Sequence, residues 1–230
     1  MSEELNSIET QAQNLISKHP KNGGEIFFLT FRQLNCLAVM VILGASGMVS
    51  LEDFGIFVFS AIYMCFLSKF AFPLNEAQQK PVFDPDSKIL GFYLLFTAVI
   101  GLFLPIFYIF YGIIGGDKDE IKAAVPHVFL LTSQVFMEGF TVLDCFSLPI
   151  RVFIPVFFNS CRLIPLNEWV MEEMVKVGQD KYAMLYFGRA IAVANLVLWY
   201  YNLFGFLLPV YLPRVFKKYY SGNDYGVVLT

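Results

Sequence analysis

Charged residues are scarce in this sequence. Asp, Glu, Lys and Arg make up 15% of its 230 residues and hydrophobic residues make up 57%, whereas soluble domains hold roughly 25% charged and about 45 to 50% apolar residues. This composition excludes a water-soluble globular domain. The net charge of -3 and the lack of a Lys/Arg-rich tail also exclude the basic surface with which proteins bind nucleic acids.

Motifs for catalysis and metal binding are missing as well. The sequence has no HExxH, GxSxG, P-loop or paired-carboxylate motif. Its four cysteines show no CxxC or metal-ligand spacing and lie in apolar surroundings, which is typical of small buried side chains; they are Cys36, Cys65, Cys145 and Cys161. We therefore expect a protein that is not an enzyme and that has no metal site and no cofactor.

Long uncharged runs are what the sequence has in abundance. About 20 apolar residues are needed to cross roughly 30 Å of hydrocarbon as a helix. Three uncharged runs, residues 34–51, 89–116 and 190–213, contain 18, 28 and 24 residues. Residues 54–74, interrupted by Lys69, and residues 123–143 are also of span length. Pro105 lies in the middle of the longest run, where we expect it to kink or tilt the helix.

Residues 146–178 can be interpreted in more than one way. Three prolines interrupt the apolar stretch 146–166, and Ser147, Arg151 and Arg162 fall on one side of a helical wheel. This pattern suits an interfacial or re-entrant segment as well as a Pro-broken crossing. Residues 166–178 combine an apolar stripe with a charged side, which predicts an amphipathic surface helix that ends at Gly178; the charged side holds Glu168, Glu172, Glu173 and Lys176.

The sequence thus predicts an all-α fold, a polytopic transmembrane helix bundle with five or six spans and an interfacial amphipathic helix. We expect a mobile polar N-terminal tail at residues 1–27, a transmembrane helical domain at residues 28–213 and a C-terminal tail at residues 214–230.

Four polar residues mark the fourth predicted span as unusual. His127, Gln134, Glu138 and Thr141 are 7, 4 and 3 residues apart, which places them on one stripe of a helix. Ionisable side chains at membrane depth normally face the bundle interior and find a partner. The nearest candidate partners in sequence are Asp144 and Arg151. The stripe fits either a structural hydrogen-bond network or a pathway for a proton, an ion or a small polar solute.

Several strings of the sequence resemble a family of plant multi-span membrane proteins known only as a domain of unknown function. They are residues 28–35 (FLTFRQLN), 45–50 (ASGMVS), 121–139 (IKAAVPHVFLLTSQVFMEG), 146–151 (FSLPIR) and 202–214 (NLFGFLLPVYLPR). The resemblance covers nearly everything after residue 27. It implies a plant membrane protein and supplies no activity, cofactor or site.

Two functional hypotheses remain from the sequence. The first is a non-enzymatic scaffold or accessory protein that acts through its helices on lipids or on membrane proteins, including copies of itself. The second is a transporter of a proton, an ion or a small solute that uses the polar stripe. The partners that we expect are the lipid bilayer and other membrane proteins. The pattern does not distinguish the plasma membrane from an endomembrane.

Basic residues flanking the spans favour cytosolic termini. In the six-span topology, in which residues 146–166 cross, ten basic residues lie on the side that holds both termini and six lie on the other side. The five-span topology gives eleven against five and moves the C-terminus to the opposite side. Because cytosolic loops carry the excess of Lys and Arg, both topologies satisfy the positive-inside rule. We favour the first.

We predict that glycosylation acceptors engineered into either terminus stay unmodified in microsomes, because the basic residues at Arg32, Lys217 and Lys218 resist translocation. The chain contains no N-glycosylation sequon of its own, so any modification reports an engineered acceptor. Modification of a C-terminal acceptor but not of an N-terminal one would establish the five-span topology.

Overall fold

The computed structural model describes residues 31–73, 82, 88–116, 121–142, 146–176 and 182–227. Within these residues all regular secondary structure is helical, and it forms six helices. We number them α1 (Phe31–Ala45), α2 (Leu51–Phe70), α3 (Lys88–Gly115), α4 (Val125–Val142), α5 (Leu148–Val175) and α6 (182–227). The all-α prediction is confirmed. Residues 1–27, expected to be a mobile tail, lie outside the described residues.

The connection between α1 and α2 is a sharp turn inside the predicted first span. Gly47 adopts φ +73°, a left-handed conformation that glycine reaches without steric cost. Ser50 then caps α2: its side chain accepts from the Asp53 amide, and the Asp53 carboxylate accepts from the Ser50 amide. The prediction of one span over residues 34–51 is wrong at its C-terminal end. The 15 described residues of α1 reach about 22 Å.

A π-helical segment interrupts α3 without ending it. Val99–Phe103 is π-helical and Pro105 follows it in the next helical turn. Pro105 lacks an amide N–H and cannot continue the regular hydrogen-bond pattern, and a π turn is one way in which a helix absorbs such a fault. The chain shifts its register just before the proline; the kink or tilt that we expect from Pro105 stays a prediction.

Helix α4 occupies the centre of the bundle. It follows a 3₁₀ turn at Lys122–Ala124 and packs against α1, α2, α3 and α5. None of its described side chains is exposed. Gly112 of α3 allows the close approach at the start of this segment, because a Cβ there would lie 2.2 Å from the Ile121 Cγ2 atom.

Helix α5 runs unbroken from Leu148 to Val175. Pro149 lies in its first turn, where a missing amide costs no helical bond. Pro155 and Pro165 lie inside the helix and are buried among neighbouring side chains, so the packing holds the segment straight enough to remain one helix. The predicted break within residues 146–166 is therefore wrong.

The predicted amphipathic surface helix at residues 166–178 is also wrong. Its residues as far as Val175 continue α5, with Trp169 and Glu173 fully buried. Leu166 and Trp169 of its apolar stripe are buried in the bundle, whereas Met174 is exposed. The predicted stop at Gly178 lies outside the described residues.

Helix α6 is the longest element. It consists of Tyr182–Tyr200, a π-helical segment Tyr201–Tyr211 and Leu212–Val227. Helical structure therefore extends beyond Pro213, where we expected the C-terminal tail to begin. Val215 and Tyr219 are buried in this last part. The Tyr219 hydroxyl donates to the carbonyl of Pro73, at the end of α2, over 3.3 Å.

Four of the helices, α2, α3, α5 and α6, are long and apolar enough to cross a membrane. In α2 and α3 only 17% and 11% of the most apolar window is buried, and the exposed side chains are largely Phe, Leu, Ile and Val. This apolar exterior indicates a multi-pass membrane protein in contact with lipid. Helix α1 is shorter than these four helices. Helix α4 has 18 residues, and its polar side chains make it less apolar than the most apolar windows of the four. Five or six spans remain a prediction.

Candidate functional site

The four residues of the predicted stripe all lie on the central helix α4. His127, Gln134 and Thr141 are buried, and Glu138 is partly buried. The Gln134 amide donates to the Glu138 carboxylate over 2.8 Å, and the Thr141 hydroxyl donates to the Glu138 carbonyl over 2.8 Å. Three members of the stripe are thus connected by hydrogen bonds. His127 lies about 16 Å from Glu138 along the helix axis.

His127 binds the carbonyl of Gly101, which in the α register would accept from the amide of residue 105. In a regular helix the amide of residue 105 would donate to the carbonyl of Gly101, and proline has no such hydrogen. The His127 Nε2 atom lies 3.1 Å from that carbonyl oxygen. Because a carbonyl only accepts, Nε2 carries the proton in this contact. The histidine therefore ties α4 to α3.

Asn195 of α6 donates to the carbonyl of Ile100, which precedes Gly101 in α3. The Ile100 carbonyl would accept from Leu104 in an α register and from residue 105 in a π register. The Leu104 amide donates to Val99 instead, and Pro105 has no amide hydrogen. The Asn195 amide donates to Ile100 over 3.0 Å. The two carbonyls that the proline affects are thus bound by side chains of two different helices.

Trp199 packs directly on this point of α3. A Cβ at Gly101 would lie 2.6 Å from the Trp199 ring, so only glycine fits. The indole Nε1 donates to the Asn195 side-chain oxygen over 3.2 Å. The Trp199 carbonyl accepts from the Asn159 amide of α5 over 3.4 Å. Trp199 therefore connects α3, α5 and α6.

Arg162 of α5 completes this polar core. Its guanidinium carbon lies 3.8 Å from the centre of the Trp199 ring, a cation–π contact, and its Nη2 atom donates to the Asn159 side-chain oxygen over 3.1 Å. The residue is fully buried. From the sequence we placed Arg162 on one side of a helical wheel with Ser147 and Arg151, and a wheel does not show which side faces neighbouring helices.

The charges that act on Glu138 include Arg32 of α1 and Arg162. We predicted Asp144 and Arg151 as partners of the stripe. Asp144 lies outside the described residues. Arg151 donates from Nε to the carbonyl of Phe146 over 3.3 Å.

Glu173 of α5 is a fully buried acid that was missed from the sequence. Its carboxylate accepts from the Tyr108 hydroxyl over 2.7 Å and from the Trp169 indole over 3.3 Å, and it forms an ion pair with Lys176. Arg189 of α6 donates to the main-chain carbonyls of Glu173 and Lys176, which caps the C-terminal end of α5. The sequence did carry a signal for this cluster. Trp169, Glu173 and Lys176 are four and three residues apart, which places them on one helical face.

The two acids lie at opposite ends of the bundle. Helices α4 and α5 are joined by residues 143–147 and run antiparallel; Glu138 is four residues from the end of α4, and Glu173 is two residues from the far end of α5. Trp169 connects the polar core with Glu173, since its ring stacks near His127 at 6.0 Å between centroids. Within the described residues, no group of three His, Cys, Asp or Glu could hold a metal ion.

Comparisons with known proteins give one match. A domain of unknown function, DUF7733, matches residues 29–220. The chain belongs to this family. No curated protein and no solved structure matches it. The plant origin that the resemblance implies stays a prediction.

The DUF7733 match includes the whole polar core, Glu138 and Glu173. Three side chains of the core donate to main-chain carbonyls of another helix: His127 and Asn195 to α3, and Asn159 to α6. Such contacts fix the relative positions of helices in an apolar surrounding, where an unpaired carbonyl is costly. Arg162 adds a positive charge in the middle of this arrangement.

We predict that His127→Leu and Pro105→Ala are energetically coupled. Alone, His127→Leu should lower the free energy of unfolding by about 1 to 3 kcal/mol, because the Gly101 carbonyl loses its donor. Pro105→Ala supplies an amide that can donate to this carbonyl, so the leucine should cost about 1 kcal/mol less in that background. Unfolding of the four proteins in detergent measures the cycle. Strictly additive costs would contradict the assignment of His127 as the replacement donor.

Proposed function

We propose that this protein is a non-enzymatic membrane scaffold or accessory protein with five or six spans. It acts through contacts of its outer helices with lipids or with other membrane proteins, including copies of itself. The observation that supports this role is the distribution of polarity: polar side chains turn inward and bind helix backbones, whereas the outer helices present apolar side chains. The interior then serves the architecture, and the exterior is the surface that meets partners.

The hydrogen bonds of the core support a structural role. His127, Asn159 and Asn195 direct their donors at carbonyls of neighbouring helices. Side chains that line a path for solutes need to be available to a passing molecule, whereas these are engaged by the bundle itself. Interhelical polar contacts of this kind are ordinary in membrane proteins.

Helix α2 carries a candidate contact surface on its exterior. Aromatic rings follow one another along the helix, with centroid separations of 5.4 Å for Phe59 and Tyr63, 6.4 Å for Tyr63 and Phe66, and 4.7 Å for Phe66 and Phe70. We call these four residues the aromatic ladder. Its three phenylalanines are exposed. A rigid aromatic surface offers large contact area at little cost in side-chain entropy.

We propose that both termini lie in the cytosol. The Tyr219 contact with Pro73 brings the C-terminal part of α6 to the end of α2. Gln33, at the start of α1, lies against Gly139 near the end of α4. Phe72, just after α2, accepts from Ser147 just beyond α4, so α1 begins at this same end. This arrangement supports termini on one side of the membrane, and the excess of basic residues supports the cytosolic side.

We predict that replacing Phe59, Phe66 and Phe70 by alanine removes bound partners without unfolding the protein, because these side chains face outward. A matched control replaces three exposed phenylalanines of α3, namely Phe92, Phe96 and Phe103. Quantitative comparison of the lipids and proteins that co-purify in mild detergent is the measurement. The ladder variant should lose components that the wild type and the control retain. Identical sets from all three proteins would contradict a contact role for α2.

Transport is the second candidate, and one observation favours it. Glu138 is an ionisable group inside the bundle, and the buried cation Arg162 acts on it. Intramembrane ionisable residues often mark paths for ions or protons.

Two substitutions of Glu138 separate the candidates. In a structural network Glu138→Gln keeps the shape and an acceptor for Gln134, so its stability should match the wild type, whereas Glu138→Leu should cost about 1 to 3 kcal/mol. In a proton path Glu138→Gln should abolish proton-coupled flux in proteoliposomes with the fold intact, because an amide cannot release a proton at accessible pH. Glu168→Leu, at an exposed site on α5, is the control. A Glu138→Leu protein as stable and active as wild type would show that Glu138 has neither role.

A further inference from the structure

Arg162 has more hydrogen-bond donors than the described residues use. Its side chain is fully buried, and only Nη2 has a hydrogen-bond partner, the Asn159 oxygen. Nε and Nη1 are buried and make no hydrogen bond within the described residues. Each of these atoms carries N–H groups that point into the bundle rather than to water. Two donor atoms of one cation are therefore left for another acceptor.

The charge of Arg162 is also only partly balanced. No carboxylate oxygen of the described residues lies within 4.0 Å of its nitrogens. Glu138 acts on it from a greater distance and is itself bound to Gln134. The Trp199 ring stabilises the cation on one face, and a cation–π contact contributes much less than a direct counter-ion in a desolvated site.

We propose that Arg162 is the centre of an internal binding site for a small monovalent inorganic anion such as chloride. One of the two unpartnered groups, Nε–H or Nη1–H, donates to the anion, while Asn159 and Trp199 hold the guanidinium in place. A single negative charge matches the single positive charge of Arg162, and a monatomic ion needs only one donor on one side of the guanidinium. The inference concerns binding, and it holds whether the scaffold role or the transport role is correct.

The positive charge of Arg162 distinguishes an anion-binding site from a path for protons or cations. A fixed guanidinium in a low-dielectric interior repels cations over several ångströms and attracts anions. Arg162 lies in the same core as His127, whose electrostatic surroundings include it. A cation moving along the α4 stripe would have to pass this charge, whereas an anion would be held by it.

The two tryptophans of the chain provide a direct probe. Trp169 and Trp199 are both buried, with 0% and 3% of their surface exposed, and iodide quenches tryptophan fluorescence at short range. Iodide added to the full chain in detergent, at constant ionic strength with gluconate as the balancing anion, should quench saturably. Chloride should compete with it. In the Trp169→Phe protein, which retains Trp199 beside Arg162, the saturable quenching should persist. A linear response, or one that chloride does not reverse, would overturn the proposal without recourse to any Arg162 variant.

Substitutions assign the site to Arg162. Saturable quenching should be lost in Arg162→Gln, be retained in Arg162→Lys with weaker affinity, and be unchanged in Arg214→Gln, whose arginine is exposed on α6. Glu138→Gln removes a competing negative charge and should lower the apparent Kd for chloride several-fold. Equal binding by wild type and Arg162→Gln would place the anion elsewhere and overturn the proposal. Weaker binding in Glu138→Gln would do the same, since it would make the acid part of the site.

Discussion

Pro105 has no amide hydrogen, and the arrangement of the bundle's interior follows from this. A carbonyl without a donor costs several kcal/mol in hydrocarbon. The Ile100 carbonyl receives no amide in either register, and the Gly101 carbonyl lacks the α-register donor that residue 105 would otherwise supply. Asn195 and His127 provide the donors, and each comes from a different helix. The position at which α3 departs from regular backbone hydrogen bonding is thus the position at which α3, α4 and α6 meet.

The close approach of α6 to this point depends on Gly101. The Trp199 ring rests where a Cβ would otherwise be, and its indole and carbonyl extend the contacts to Asn195 and Asn159. The Arg162 guanidinium stacks over the same ring. Backbone geometry, a missing side chain and an aromatic ring together create a site where a cation is held inside the bundle. Buried charges of this kind are expensive, and such residues in membrane proteins usually have a function.

The helical class and the long apolar elements could be predicted from the sequence because uncharged runs carry that information directly. The stripe on α4 could be placed on one helix face from its spacing alone. The continuity of α5 could not, since Pro155 and Pro165 are helix breakers in isolation and are tolerated here because neighbouring helices cover them. Glu173 was assigned to the charged side of a surface helix for a related reason. Where the exterior of a protein is apolar, amphipathic patterns no longer tell which side of a helix faces the core.

The π segments of α3 and α6 also change what an insertion or a deletion means. A residue turns an α-helix by about 100°, and a π turn holds an extra residue. The face that α3 presents before Val99–Phe103 is therefore out of phase with the face that it presents afterwards, where Tyr108 meets Glu173. Removing one residue from this segment would shorten the helix little, yet it would rotate everything on one side of the segment against everything on the other. In relatives of this chain, a gap of one residue at these positions would be a change of angle rather than of length.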